Sequence, residues 1–235
     1  MEFSKITAPS LKDLFVQQLE DKILSGELFV GSRLPPEREL AEKMKVSRAV
    51  VNGGITELSQ KGFLEVRPRL GTYVADYSKN GNLRTLIALL EYRGKSLDKG
   101  GIRAILEVRQ ALELLASSLV IDTASDEDLR RLGLLTDELK ACRSPSEAAQ
   151  AAFAFHHELA YTAGNTVLTL IYSSFKEVCI VLWERFCRLY GTDALYENVV
   201  TLHYYLKTRD KTGTERWIRR YLGKAIEGSQ QIYEE

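Results

Sequence analysis

Cysteine, histidine and long apolar runs are all scarce in this chain. Its 235 residues hold Cys142, Cys179 and Cys187, an odd number without a CxxC, which excludes a disulfide framework and a zinc ribbon and leaves buried free thiols as the reading. Charge interrupts every apolar run well short of the ~18 residues that a membrane span needs, and Met1 opens no signal-peptide pattern, so a cytoplasmic protein with no membrane partner is expected. With three histidines, two of them adjacent, a metal site of three or four ligands is hard to assemble, and no cofactor is expected. Nucleophile elbow, phosphate loop, HExxH and paired-carboxylate motifs are missing too, and His156-His157-Glu158 lacks the spacing of a zinc protease, so the reading is not an enzyme. Net charge is also lacking, with 32 basic residues against 32 acidic ones.

What is present suits a folded chain of one or two domains, 45% apolar and 27% charged, with enough apolar surface for a sizeable core. Leu11, Leu14, Phe15, Leu19 and Ile23 recur at helical spacing between Pro9-Ser10 and Gly26. Leu40, Ala41 and Met44 give a short second helix after Pro36, and Ser47 reads as the N-cap of a third that Gly62 ends. Phe63 to Val66 and Thr72 to Ala75 are β-rich segments flanking Pro68-Arg69-Leu70-Gly71, a predicted hairpin. Between Lys43 and Gly71 lie six basic residues against Glu57 and Glu65, an excess of four. Three helices, a two-stranded wing and local positive charge describe a winged helix-turn-helix, whose third helix enters the major groove of double-stranded DNA.

The chemistry of that groove assigns roles. Arg48, directly after the cap, can offer paired donors to guanine, and the Ser47 hydroxyl can meet a phosphate. Lys43, Lys45, Lys61, Arg67 and Arg69 read as phosphate neutralisers that give affinity with little sequence choice. Asn52 can read adenine, but Gly53 and Gly54 follow it, and two mid-helix glycines cost about 2 kcal/mol relative to alanine. Either the helix is kinked there without a base contact or the site needs close backbone approach.

Gly31-Ser32-Arg33-Leu34-Pro35-Pro36-Glu37-Arg38-Glu39-Leu40-Ala41, then Val46-Ser47-Arg48, then Gly62 through Val74, together resemble the DNA-binding domain of GntR-family transcriptional regulators. The resemblance implies that Arg38 and Arg48 read bases, that Ser47 contacts a phosphate and that Arg69 to Gly71 form the wing tip. Where the family usually carries a second arginine on the recognition helix, this chain has Asn52, so its operator preference should differ.

The polar stretch Tyr77 to Asn82 predicts a linker between a DNA-binding domain over 1–76 and a second domain over 83–235. Everything in the second domain reads helical, over 83–93, 99–122, 126–141, 146–163, 166–190, 194–207 and 213–233, so the fold class is mainly α, a winged helix-turn-helix followed by an antiparallel all-α bundle. Ile102, Ile105, Leu112, Ala116 and Leu119 make an apolar stripe with Arg109 on it. A buried guanidinium needs an anion, either a carboxylate from another helix or a bound effector bearing carboxylate or phosphate. His156 and His203 share faces with apolar residues and read as core or effector contacts; Asn165 reads as the cap of the next helix or a ligand contact. Trp183 reads as core.

Val108-Arg109-Gln110-Ala111-Leu112-Glu113, Phe155-His156 and Ala163-Gly164-Asn165 resemble the effector domain of the FadR-like GntR subfamily. Many of its members bind a metal through an aspartate four residues before the histidine and two later histidines. Those positions here are Ala152, Val199 and Tyr221, which leaves Arg109 as the anion anchor, and with Arg219-Arg220-Tyr221 makes the chain similar to members that respond to acyl-CoA. The resulting expectation is a homodimeric, ligand-responsive transcriptional regulator that senses a small anionic metabolite, a carboxylate, sugar acid or acyl-CoA. The other reading is a constitutive dimeric DNA-binding protein whose bundle is purely structural.

Overall fold

A computed structural model describes residues 9–96 and 99–233; Met1 lies outside them. Two compact units divide at Tyr92/Arg93. In the first, α1 (Leu11–Leu24) starts at a capping box in which Ser10 and Asp13 satisfy each other's backbone N–H. Next come α2 (Glu37–Met44), α3 (Arg48–Gln60) and the strands β1 (Leu64–Arg67) and β2 (Gly71–Val74). The strands pair antiparallel, Leu64 opposite Val74 and Arg67 opposite Gly71, and Arg33 adds an isolated bridge to Tyr73. Phe15, Val16, Leu19 and Ile23 of α1 share one core with Val51, Ile55 and Leu58 of α3 and with Phe63 and Val74 at the wing. That core fixes the outward face of α3.

The stretch predicted as a linker joins this unit. Tyr77–Asn80 form the short helix α4, and the Tyr77 ring packs on Phe63 at 5.4 Å. Asn82 Nδ2 donates to the Gln60 carbonyl at 3.0 Å and Thr85 Oγ1 to that of Lys61. Ala88 of α5 (Leu83–Ser96) enters the same core. Asn82 and Thr85 thus bond the end of α3, and the stretch 77–82 packs on the first unit instead of spacing two domains; α5 runs past the end expected at 93.

The second unit holds α6 (Lys99–Thr123), α7 (Asp126–Ala141), α8 (Pro145–Thr162), α9 (Thr166–Ser174), α10 (Lys176–Tyr190), α11 (Thr192–Lys207) and α12 (Lys211–Ile226). Ser125 and Ser144 open α7 and α8 with capping boxes. α8 lies at the centre, touching α6, α7, α9, α10 and α11. Ala148, Ala149, Ala152, Phe155, Leu159 and Ala160 are all fully buried along it, and its alanines let neighbours approach closely. The stretch predicted as one helix over 166–190 is two, bent by 60°. Ser173 and Ser174 return their hydroxyls to the carbonyls of Thr169 and Leu170, a bond that competes with the helix ladder and bends it. No single helix among the described residues is long and apolar enough to cross a membrane, and α9 with α10 pass that test only as a bent pair.

Candidate functional site

In the first unit the outward face of α3 carries Arg48, Ala49, Asn52 and Thr56, all exposed. Ser47 caps the helix, its Oγ accepting from the Val50 N–H at 3.3 Å, which leaves the hydroxyl proton to donate elsewhere. Thr56 returns its hydroxyl to the Asn52 carbonyl at 2.9 Å, so the Asn52 backbone is engaged and helical. α3 is unbroken across both glycines. A Cβ at Gly54 would overlap the Phe15 ring, whereas one at Gly53 would meet only Lys12 Cδ at 3.5 Å. Gly54 therefore serves the approach of α1, and Gly53 has no packing need.

The cations sort by what already holds them. Lys61 is ion-paired to Glu20 at 2.9 Å and Glu57 at 3.3 Å, and those partners hold its ammonium charged against partial burial. It therefore ties α3 to α1 and is not free to neutralise a phosphate, contrary to the expectation from charge alone. Arg67 pairs with Glu65 at 2.8 Å and lies over the Tyr73 ring, Lys43 with Glu39 at 2.7 Å, and Arg38 with Glu42 at 3.0 Å. Surface pairs of this kind are worth ~1 kcal/mol or less, so Arg38 and Arg67 can exchange carboxylate for DNA. Among the described residues no ion pair engages Arg33, Lys45, Arg48 or Arg69. Arg69 has φ +64° at the wing turn. Gly71 has φ +122°, and a Cβ on it would sit 2.8 Å from Arg33 Nε, so it makes room for that guanidinium. Arg33 is the cation that charge counting over 43–71 overlooked, because it precedes that stretch and reaches the wing only through folding.

In the second unit a cavity of about 30 Å³ lies among α6, α8, α10, α11 and α12, lined by Arg109, His156, Trp183, Val199, Tyr221 and Ile232 among others. Arg109 is 6% exposed and its compensating carboxylate is Glu113, one turn along the same helix and 0% exposed, with Arg109 Nη2 and Glu113 Oε2 3.4 Å apart. The sequence leaves open a carboxylate from another helix or a bound effector; the structure supplies a carboxylate at i,i+4 on the same helix. Tyr221 donates its hydroxyl to Glu113 Oε1. The guanidinium lies 4.3 Å from the centre of the Trp183 ring, and His156 stacks on that ring at 5.1 Å with its Nδ1 3.6 Å from Glu113 Oε2, so Trp183 is both core and lining.

Burial governs the protonation states here. It pushes Glu113 up to about 7, with Arg109 only partly offsetting it, and it drives His156 well below its ordinary value, helped by Arg109. His156 is thus neutral at pH 7. Glu113 holds Arg109 charged despite burial. Arg109 Nε, His156 Nδ1 and Tyr172 Oη make no hydrogen bond of good geometry, although the Tyr172 hydroxyl lies near enough to the guanidinium to help keep it charged; a buried neutral group left so costs ~1–3 kcal/mol.

Arg109 and His156 line one cavity; the other two effector candidates do not join them. His203 bonds through Nε2 to the Leu129 carbonyl at 2.9 Å, locking α11 to α7. Asn165 caps α9, its side chain accepting from the Leu168 N–H at 3.1 Å. A metal of the FadR-like kind does not fit the pocket. Val199 and Tyr221 stand beside His156, Ala152 is buried in α8, and the Arg109 charge repels a cation. Arg219 pairs with Glu215 and Arg220 lies over Trp217, and the cavity is far below the ~300 Å³ that even a drug-sized ligand occupies, so no acyl-CoA fits in this state.

A winged helix-turn-helix bearing free arginines, followed by a helical bundle with a buried polar pocket, defines a DNA-binding transcriptional regulator. Residues 12–74 match the bacterial regulatory proteins of the gntR family, residues 104–224 match the FCD domain, and the chain belongs to the GntR family. It is 32% identical over 180 residues to the HTH-type transcriptional regulator Mce2R of Mycobacterium tuberculosis, 75% of this chain and 73% of that one. To LutR of Bacillus subtilis it is 31% identical over 147 residues, 62% and 65% of the two chains. A solved structure titled for Lar, which controls expression of the Listeria monocytogenes agr system, superposes with TM-score 0.63 over 94% of this chain and 97% of that one at 15% identity, a likeness of fold alone. These families and relatives are regulators, not enzymes.

Proposed function

We propose that the protein is a homodimeric, cytoplasmic repressor or activator that binds a pseudo-palindromic operator and changes that binding when a small anion enters the Arg109 pocket. The observation that carries the sensing step is the buried Arg109 Nε–H without an acceptor, on a residue that lines a cavity together with His156. On the DNA side, Arg48 with Asn52 reads bases, Ser47 and the wing tip at Arg69 to Gly71 hold the backbone, and Arg38 and Arg67 leave their surface carboxylates to join them. Two recognition helices on one duplex require two chains. An effector that controls DNA must bind the operator-competent and incompetent arrangements with different affinity.

The test is a thermal-shift screen of carboxylates, sugar acids and acyl-CoAs on the full chain, followed by operator release. Binding at a hundredfold excess over Kd raises stability by ~2.7 kcal/mol, and Arg109→Met abolishes that gain. An anion that stabilises the Arg109→Met variant as well as the wild type removes Arg109 from effector binding. If no anion both stabilises the protein and alters operator affinity, the bundle is structural.

A further inference from the structure

Beyond α12 the chain stays on the bundle. Glu227 pairs with Arg103 of α6 at 2.6 Å. Gly228 turns so tightly that a Cβ on it would lie 2.7 Å from Lys224 Cα, and the Gln230 N–H returns to the Lys224 carbonyl at 3.0 Å. The segment 229–233 then crosses α10. Tyr190 Oη donates to the Gln231 carbonyl at 2.6 Å, Arg185 Nε donates to that of Ile232, and the Lys99 ammonium lies 4.8 Å from the centre of the Tyr233 ring. Between these ties Ile232 turns inward. It is 2% exposed and closes the wall of the Arg109 cavity beside Leu182, Phe186, Leu195 and Leu222. Segments without helix or strand ordinarily run over the surface; this one buries an aliphatic side chain in the wall of a cavity that Arg109 and His156 also line.

We propose that residues 229–233 are a displaceable plug, and that the effector is a short aliphatic monocarboxylate that binds in place of Ile232. Its carboxylate supplies the acceptor that Arg109 Nε lacks, and its alkyl part replaces the isoleucine against Leu182, Phe186, Leu195 and Leu222. This rests on the reading of Arg109 as an effector anchor. Removing one isoleucine side chain from a cavity with room for about two waters opens space for a ligand of that size without parting the helices. The apolar wall disfavours a polyhydroxylated acid, whose hydroxyls would find no partners there. The plug is held by donors to two backbone carbonyls, both of which water satisfies once the segment lifts.

The experiment uses the full chain with 4-methylpentanoate as probe and gluconate as the polar comparison, read by calorimetry and by amide hydrogen exchange. Saturation with 4-methylpentanoate is expected to speed exchange at Gln231 to Tyr233 by about tenfold, since those amides report local opening. Ile232→Ala and Tyr190→Phe, which weaken the plug from inside and outside the cavity, are expected to tighten binding about three- to tenfold because less of the protein is held closed. An anion that needs Arg109 yet leaves that exchange unchanged keeps the effector reading and overturns the plug. Gluconate binding in preference to 4-methylpentanoate overturns the ligand class. Absence of binding by either acid to wild type and both variants overturns the inference, while the wider screen still decides the effector reading.

Discussion

At the scale of single residues, Glu113 and His156 pull stability in opposite directions with pH. Glu113 rises from 4.5 in the unfolded chain to about 7 in the fold, so between those values the native state holds the extra proton, and stability falls as pH climbs through the window. His156 drops well below 6.5, so below that value the unfolded chain holds the extra proton, and stability is lost as pH falls. Between about 4.5 and 6.5 the two slopes oppose each other; above that, Glu113 alone contributes a further loss complete by pH 8, on the order of 1 kcal/mol. Arg109→Met takes away the charge that restrains Glu113 and raises it further. Breaking a buried pair costs ~3–5 kcal/mol, and the loss in Tm for this variant is expected to be clearly larger at pH 8 than at pH 6, where Glu113 is neutralised by a proton. Equal losses at both pH values would show that Glu113 does not gain a proton in the variant. The periodicity of α6 marks Arg109 as core-facing, yet hides Glu113, because a carboxylate at i+4 from an arginine is also the commonest solvated helix pair.

DNA-contacting side chains obey the same residue-scale arithmetic. Arg48 stands exposed at the first turn of α3 with its guanidinium free, so Arg48→Ala is expected to weaken operator binding by ~1–3 kcal/mol and relax preference at one base pair. Arg69→Ala should weaken specific and scrambled duplexes alike. Equal loss on both duplexes for Arg48→Ala would remove it from base readout. Lys61 is unsuited as a phosphate-contact control, since its removal strands Glu20 and Glu57. A count of lysines and arginines registers total charge; it does not register which cations fold onto carboxylates.

Elements show where local pattern decides and where packing overrides it. Ser10, Ser47, Ser125, Ser144 and Asn165 each open a helix by bonding a free N–H, and such caps are legible because the chemistry is local. The bend between α9 and α10 is not, since Leu168, Tyr172, Phe175 and Val178 keep an apolar face running through it while the serine hydroxyls that open the ladder look like ordinary helix residues. Neither is the fate of residues 77–82, where Asn82, followed by Thr85, bonds the end of α3 only because the wing returns the chain there. The paired glycines separate on the same logic. Gly54→Ala is expected to destabilise the first unit, because the added carbon overlaps Phe15. Gly53→Ala meets no obstruction and should stabilise α3 by up to ~1 kcal/mol. Unfolding by denaturant checks both. If Gly53→Ala stabilises the protein yet weakens operator binding, the missing Cβ serves DNA approach; unchanged binding leaves it as a simple weak point in the helix.

For the whole molecule, zero net charge conceals a surface arranged for a polyanion, and salt dependence measures that arrangement. Arg33, Lys45 and Arg69 carry charges that no described carboxylate answers, and the proposed reading assigns Arg48 to a base. Each phosphate neutralised releases condensed counterions, so log K falls with log salt at a slope of about −0.9 per contact. Three free cations per chain in a dimer give a slope of about −5, whereas a single chain on a half-site would give about −3. Lys45→Ala changes both half-sites together and should flatten the dimer's slope by about 2 while leaving base preference intact. A wild-type slope near −3 on a full operator would mean one chain per site and would sink the dimer. A slope well beyond −5 would mean that Arg38, Lys43 and Arg67 give up their carboxylates on the duplex, making intramolecular ion pairs part of the affinity for DNA.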